Sequence, residues 1–471
     1  MKPSWLAETI VKSRGESPSA WRDPSEDTRG WCAKKVYFTL GITVLFAKAL
    51  AQKKALPMRF VRYLIVTSAC ALAIMQTNLP AAAESIPVGP VADAFYAPPL
   101  PLPLGKRGSV IWARALDGTM ALPSATRNIL VLYRSTDDKG RITPVSGTVA
   151  IPPGEPPRGG WPVITWTHGT TGLALICAPS RDTADGPEHE YIDIIRTLLD
   201  AFVKKGYVIV ASDYQGLGVS GFHPFLQGAP TGRNALDILR AARTLEPKIG
   251  MHYAVMGHSQ GGQVDLFAAA EGPAYVPEYK LVGNVASAPA SQISGRLDAV
   301  MTSAKTELSL PYVLYVLQSY AKSNRAIDLK RILTPQALSH LPDLLDGCMT
   351  HALTTGYWST AISKDQFLPK PDIAAFLKVA AQNEPGPLRI AAPTMVMQGM
   401  SDVTVFPKDT DSMTRQLCAR GNTIAYKPFP GADHNGSMKA GGVLAQDWID
   451  ARFAGKKAPS DCNALPTAGT P

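Results

Sequence analysis

Between residues 163 and 286, short apolar runs alternate with segments of helical character, and this limits what the 471-residue chain can fold into more than any other feature. The runs 163–167, 207–211, 253–256 and 281–286 read as strands. Between them, 192–204, 235–245 and 263–270 read as helices, the first with apolar residues at helical spacing. Such alternation predicts an α/β fold: a mostly parallel sheet with helices on both faces. Three β-type runs precede it, at 110–115, 129–134 and 145–151, and a proline-rich arm at 87–103 should lie extended on the surface. The pattern breaks near Pro289. Residues 290–385 contain helical segments without a convincing strand, which predicts an inserted helical cap. Alternation then resumes with a strand at 394–398, a helix at 409–419, a strand at 423–426 and a helix at 444–453. The expected organisation is a core in two parts, 84–289 and 386–471, split by a cap at 290–385.

The residues before this core carry most of the charge. The chain has 47 Lys/Arg against 38 Asp/Glu, a balance of +9 that invites a nucleic-acid reading. Residues 1–83, however, hold 12 of the basic and 5 of the acidic residues, leaving 35 and 33 in the remainder. That near-neutral remainder has no electrostatic footprint for nucleic acid. Met58, Arg59, Arg62, the apolar run 63–75 and Ala81-Ala82-Ala83 form the three regions of a secretory signal peptide, with cleavage expected after Ala83. Residues 1–57 then read as an over-extended start. The apolar run is shorter than the ~20 residues a spanning helix needs. An exported, extracellular or periplasmic chain retains Cys177, Cys348, Cys418 and Cys462, an even number that favours disulfides in any of three connectivities. Without a Cys-x-x-Cys or histidines at ligand spacing, no metal site is expected.

The chemistry centres on Gly257-His258-Ser259-Gln260-Gly261-Gly262, which follows a predicted strand and opens a predicted helix. That context makes Gly-x-Ser-x-Gly a candidate nucleophile elbow, whose glycines let strand and helix backbones approach without a Cβ between them. A serine hydroxyl needs a base, and the base an orienting acid. Asp402 follows the strand 394–398, and His434 lies in a glycine-flanked loop before the last helix, so the order nucleophile, acid, histidine suits this fold class. Asp433 is the rival acid, but adjacency to His434 aims it elsewhere. Two backbone N–H donors would serve the oxyanion: Gln260 at the helix start, and Thr170, with Thr171 as the near alternative, in the loop His168-Gly169-Thr170-Thr171-Gly172. Gly216-Leu217-Gly218-Val219-Ser220-Gly221 fits the dinucleotide-binding pattern, but no helix is expected before about Gly232, so it reads as a loop at the site rim. The sequon Asn435-Gly436-Ser437 adjoins His434 and reads as chance.

With these residues in place, the sequence resembles the secretory lipase family. The resemblance rests on Phe95-Tyr96 with Pro98-Pro99, the 168–172 loop, Cys177-Ala178-Pro179-Ser180 and 213–218, together with the Ser259 elbow, the Asp402 loop and Asp433-His434. It implies an extracellular α/β-hydrolase fold that cleaves carboxylic esters without a cofactor. It also implies a triad of Ser259, Asp402 and His434, and disulfides Cys177–Cys348 and Cys418–Cys462. The implied partner is a small ester or lipid substrate, with transient contact to a lipid interface through the cap and no obligate protein partner. The cap, with apolar stretches such as 310–317, would form the acyl pocket or lid. The same fold and triad could serve a peptidase, an acyltransferase or a carbon–carbon bond hydrolase. A non-catalytic binding protein and a nicotinamide-dependent oxidoreductase are the remaining readings.

Overall fold

The computed structural model describes residues 86–465; the leader expected at 1–83, with its signal peptide at 58–83, lies outside them. The described residues build one nine-stranded sheet from β1 (Val110–Ala115), β2 (Arg127–Thr136), β3 (Ile142–Ile151), β4 (Trp161–Thr167), β5 (Val208–Ser212), β6 (Ile249–His258), β7 (Lys280–Ser287), β8 (Thr394–Gly399) and β9 (Ile424–Phe429). Their spatial order is β1-β2-β3-β5-β4-β6-β7-β8-β9. The first three form an antiparallel meander that joins β5 antiparallel, and the six from β5 to β9 run parallel. Pro428 is tolerated in β9 because that strand is the sheet edge.

Alternate residues of the central strands enter opposite cores, as the two-residue period of a strand requires. Ile164, Trp166, Ile209, Ala254 and Met256 pack with α1 (His189–Lys204) and α10 (Gly436–Phe453). Val163, Val208, Val210, Tyr253 and Val255 pack with α2 (Gly228–Leu245). The helix α3 (Gln260–Tyr275) covers the same face as α2 and meets α9 (Pro407–Ala419) through Leu266, Ala269, Met413 and Leu417. In α1 the buried Ile192, Ile195, Leu199 and Phe202 form one stripe, the pattern by which that helix is legible in the sequence.

Between β7 and β8 lie α4 (Ile293–Thr302), α5 (Leu310–Ser323), α6 (Pro335–Asp346), α7 (Met349–Thr354) and α8 (Ala374–Gln382). They enclose an apolar core of their own, including Leu297, Leu314, Leu317, Leu333, Trp358 and Phe376, and Phe225 and Leu226 reach up into it.

Three local expectations are corrected. The helix α2 begins at Gly228 rather than near Gly232: Pro230 falls in the first turn, whose N–H groups have no helical partner to lose, and Gly228 abuts the ring of Phe267. The last helix begins at Gly436, eight residues before the expected Leu444. Gly441, which resembles a breaker, leaves no room for a Cβ, which would lie 3.0 Å from Phe429 Cζ, so the glycine serves close helix–sheet packing. The proline-rich arm is anchored rather than superficial. It makes a 3₁₀ turn at Ala92–Tyr96 that buries Phe95 and Tyr96, and the Tyr96 hydroxyl lies 2.9 Å from Ser180 Oγ.

Among the described residues two disulfides form, Cys177–Cys348 across 171 residues and Cys418–Cys462 across 44. Beside the first, the buried Glu188 accepts the Thr350 N–H at 2.7 Å from the start of α7, and burial pushes its carboxyl up to about 7. The longer loop restricts the unfolded chain more. Replacing Cys177 and Cys348 with serine should therefore cost about 2–4 kcal/mol and lower Tm more than the same change at Cys418 and Cys462, as differential scanning calorimetry would show. Folding takes up a proton at Glu188 between its ordinary 4.5 and about 7, so its contribution to stability falls as pH rises through that window. The Tm advantage of Glu188→Gln over the natural chain should grow across the same interval; a constant difference would remove Glu188 from the pH dependence.

Candidate active site

Ser259 is the single residue between β6 and α3. Its backbone sits at φ 59°, ψ −119°, a region that costs a non-glycine residue roughly 1–3 kcal/mol and persists only where its surroundings enforce it. They do. A Cβ at Gly257 would lie 2.6 Å from Gly261 C, and one at Gly261 would lie 2.7 Å from His168 O, so neither site admits a side chain. The Ser259 N–H donates to Ser287 O at the end of β7 (2.9 Å), and its carbonyl accepts from Ala290 N–H (3.0 Å).

Asp402 follows β8 and is almost wholly buried. Its Oδ1 accepts the N–H groups of Thr404 (2.8 Å) and Val405 (2.9 Å), while Oδ2 lies 2.7 Å from His434 Nδ1 and accepts from Gln398 Nε2 at 3.2 Å. The Asp402 and His434 loops are joined by Met400 N–H to Phe429 O (3.0 Å) and Ser401 N–H to Ala432 O (2.9 Å). Asp433 points away and caps α10 by accepting Gly436 N–H at 2.6 Å. The His434 carbonyl accepts from His258 Nε2 (3.0 Å) and Ser437 Oγ (2.9 Å), and Ser437 Oγ also contacts Ser287 Oγ (2.8 Å). The histidine loop is thereby tied to both strands that flank the serine.

Thr170 and Gln260 line the same pocket as Ser259. A Cβ on Gly169 would fall 3.2 Å from Ser259 Cβ, which measures how closely the 168–172 loop approaches the hydroxyl. Thr171 is instead drawn toward the helices between β7 and β8, its carbonyl accepting Met349 N–H at 2.9 Å. The Gln260 side chain donates to His223 Nε2 (2.8 Å), and His223 Nδ1 donates to Gln215 O (3.0 Å). Burial lowers His223 to about 3, so it stays neutral and can accept. The glycine-rich 216–221 segment is the loop that brings His223 to this place, and no helix begins until α2. Its resemblance to a nucleotide-binding turn ends there.

The rest of the pocket is mostly apolar: Ile293 and Leu297 of α4, Val313 and Val316 of α5, and Phe376 of α8. Arg296 is the charged residue of its wall; it pairs with Asp409 (2.7 Å), and burial lowers the guanidinium and raises the carboxyl. The sequence offered no signal for Tyr191, whose hydroxyl accepts Gly169 N–H at 2.8 Å and lies 3.1 Å from His258 Nδ1. It occupies an ordinary position of an amphipathic helix, and only the fold carries it to the elbow.

Comparison with known proteins agrees with this architecture. The family model described as Secretory lipase matches residues 190–461. Lipase 6 of Candida albicans is 25% identical over 407 residues, covering 79% of this chain and 84% of that protein. Lipase A of Arthroderma benhamiae is 23% identical over 405 residues, covering 81% and 83%. Among solved structures, Candida antarctica lipase A superposes with a TM-score of 0.66 at 18% identity over 78% of this chain and 88% of that one. The rice cell wall degrading esterase LipA from Xanthomonas oryzae gives 0.60 at 21%, over 74% and 98%. With more than half its length matched by one family model, on the α/β-hydrolase fold, the chain belongs to the secretory lipase family and is a carboxylic ester hydrolase.

Proposed function

We propose that the chain is a secreted serine ester hydrolase in which Ser259, His434 and Asp402 act as nucleophile, base and orienting acid. The observation that carries this reading is the 2.7 Å Asp402–His434 pair, held on loops tied to the strained Ser259 peptide. Ser259 Oγ attacks the ester carbonyl carbon as its proton passes to His434; collapse expels the alcohol, which takes that proton. Water then gives a proton to His434 and attacks the acyl-enzyme, and the proton returns to Ser259 as the acid leaves. The carboxylate of Asp402 orients the imidazole and stabilises its charged form, and its two backbone bonds hold it in place. The N–H groups of Gln260 and Thr170 meet the oxyanion, the first with the positive end of a 16-residue helix behind it. The helices α4–α8 act as the cap, and their apolar side chains take the hydrocarbon part of the ester. Two disulfides suit an exported chain.

A panel of p-nitrophenyl esters from short to long acyl chains tests the reading. Ser259→Ala should lose on the order of 10⁵–10⁶ in kcat, and Asp402→Asn about 10⁴, with both variants folded. Equal turnover by the natural chain and Ser259→Ala would overturn it. Hydrolysis of peptide amides or β-diketones in preference to esters would move the chain to another reaction on the same triad.

A further inference from the structure

We propose that Tyr191 and His258 are positioning residues that lock the oxyanion loop and the base loop to the nucleophile elbow through one hydrogen-bonded chain. This inference rests on the catalytic assignment above. Four elements distant in sequence meet in it. Gly169 N–H, in the loop after β4, donates to the Tyr191 hydroxyl on α1 at 2.8 Å. That hydroxyl lies 3.1 Å from Nδ1 of His258, the last residue of β6. Nε2 of His258 is 3.0 Å from the carbonyl of His434, in the loop after β9.

The direction of every bond follows from chemistry. A carbonyl only accepts, so His258 Nε2 carries the hydrogen. The ring is fully buried beside the His434 ring, at a centroid distance of 4.5 Å, and burial holds it neutral. Its Nδ1 then has only a lone pair, which the phenol O–H satisfies, and the phenol oxygen is left to accept Gly169 N–H. The chain has a single polarity and ends on the His434 carbonyl, whose other lone pair takes Ser437 Oγ, so each bond fixes the next.

This arrangement also excludes His258 as the base, since both its nitrogens are committed and neither meets a carboxylate. Its effect on catalysis runs through its neighbours. Gly169 precedes Thr170, and with its N–H held by Tyr191 and its carbonyl 2.7 Å from His168 Nδ1, the peptide that carries the Thr170 N–H is fixed on both sides. His258 precedes Ser259, and its bond to the His434 backbone sets the height of the base above the hydroxyl. Because these contacts touch no substrate, they act on the transition state rather than on ester binding.

Tyr191→Phe removes one oxygen atom and keeps the ring. On a short p-nitrophenyl ester, kcat should fall about 10- to 100-fold, less than the roughly 10²–10³ lost when an oxyanion donor is removed outright, with KM within about two-fold. Inactivation by an alkyl phosphonate ester, which needs the same nucleophile and oxyanion donors, should slow by the same factor. A second pair keeps the test independent of how that variant folds. His258→Gln retains one donor and one acceptor and should keep most of kcat, whereas His258→Leu should lose it. An unchanged kcat in Tyr191→Phe, a rise in KM alone, or equal kcat in the Gln and Leu variants would overturn the positioning role. Those results with an active natural chain sink only this inference; equal turnover by the natural chain and Ser259→Ala sinks the catalytic reading beneath it.

Discussion

The structure depends on the close approach of β4, β6 and α3 at Ser259. The serine adopts a backbone conformation it would not choose, and it is kept there because Gly257 and Gly261 let neighbouring peptides touch where side chains would collide. That contact fixes the start of α3 and so the direction of the Gln260 N–H. It also fixes the ends of β6 and β7, to which the histidine loop is bonded through His258 and Ser287. The parallel half of the sheet is the framework that makes the contact possible, since its loops all open at one edge, where α/β sheets collect their chemistry.

Much of this frame was legible in the sequence because the central strands are covered on both faces. Burial on two sides demands apolar runs such as Val163-Ile164 and Val208-Ile209-Val210, which stand out against polar loops. Ser259, Asp402 and His434 could be chosen because chain order and position after successive strands restrict the candidates, and the fold brings the last two within hydrogen-bond distance. What escaped was decided by tertiary contact. Gly228 and Gly441 look like interruptions until Phe267, Met397 and Phe429 are seen to need the space a side chain would fill. Phe95 and Tyr96 sit among prolines, and nothing local announces that the arm turns there to bury them. Tyr191 could not be separated from any other residue of α1.

Buried polar groups around the site share a pattern in which burial suppresses charge and hydrogen bonds assign a direction. His223 and His258 stay neutral and each relays one bond onward. Asp213 is raised by burial yet receives Ser146 Oγ (2.6 Å) and Ser180 N–H (3.0 Å), pinning the segment that leads to Gly216. Such networks make the loops behave as rigid parts, although they lie outside regular secondary structure.

The Cys177–Cys348 bond has a mechanical consequence. At this point the helical insertion is held covalently, by a bridge between Gly172 and Cys348, by Met349 N–H on Thr171 O, and by Glu188 at the start of α7. All four attachments lie within two residues of Thr170 or border the disulfide. The insertion is therefore fastened at both ends, to the 168–172 loop here and, through Arg296 with Asp409 and the Tyr320 hydroxyl with the Leu226 carbonyl, to the core beside α4 and α5, so the pocket is walled by helices anchored on each side of Ser259.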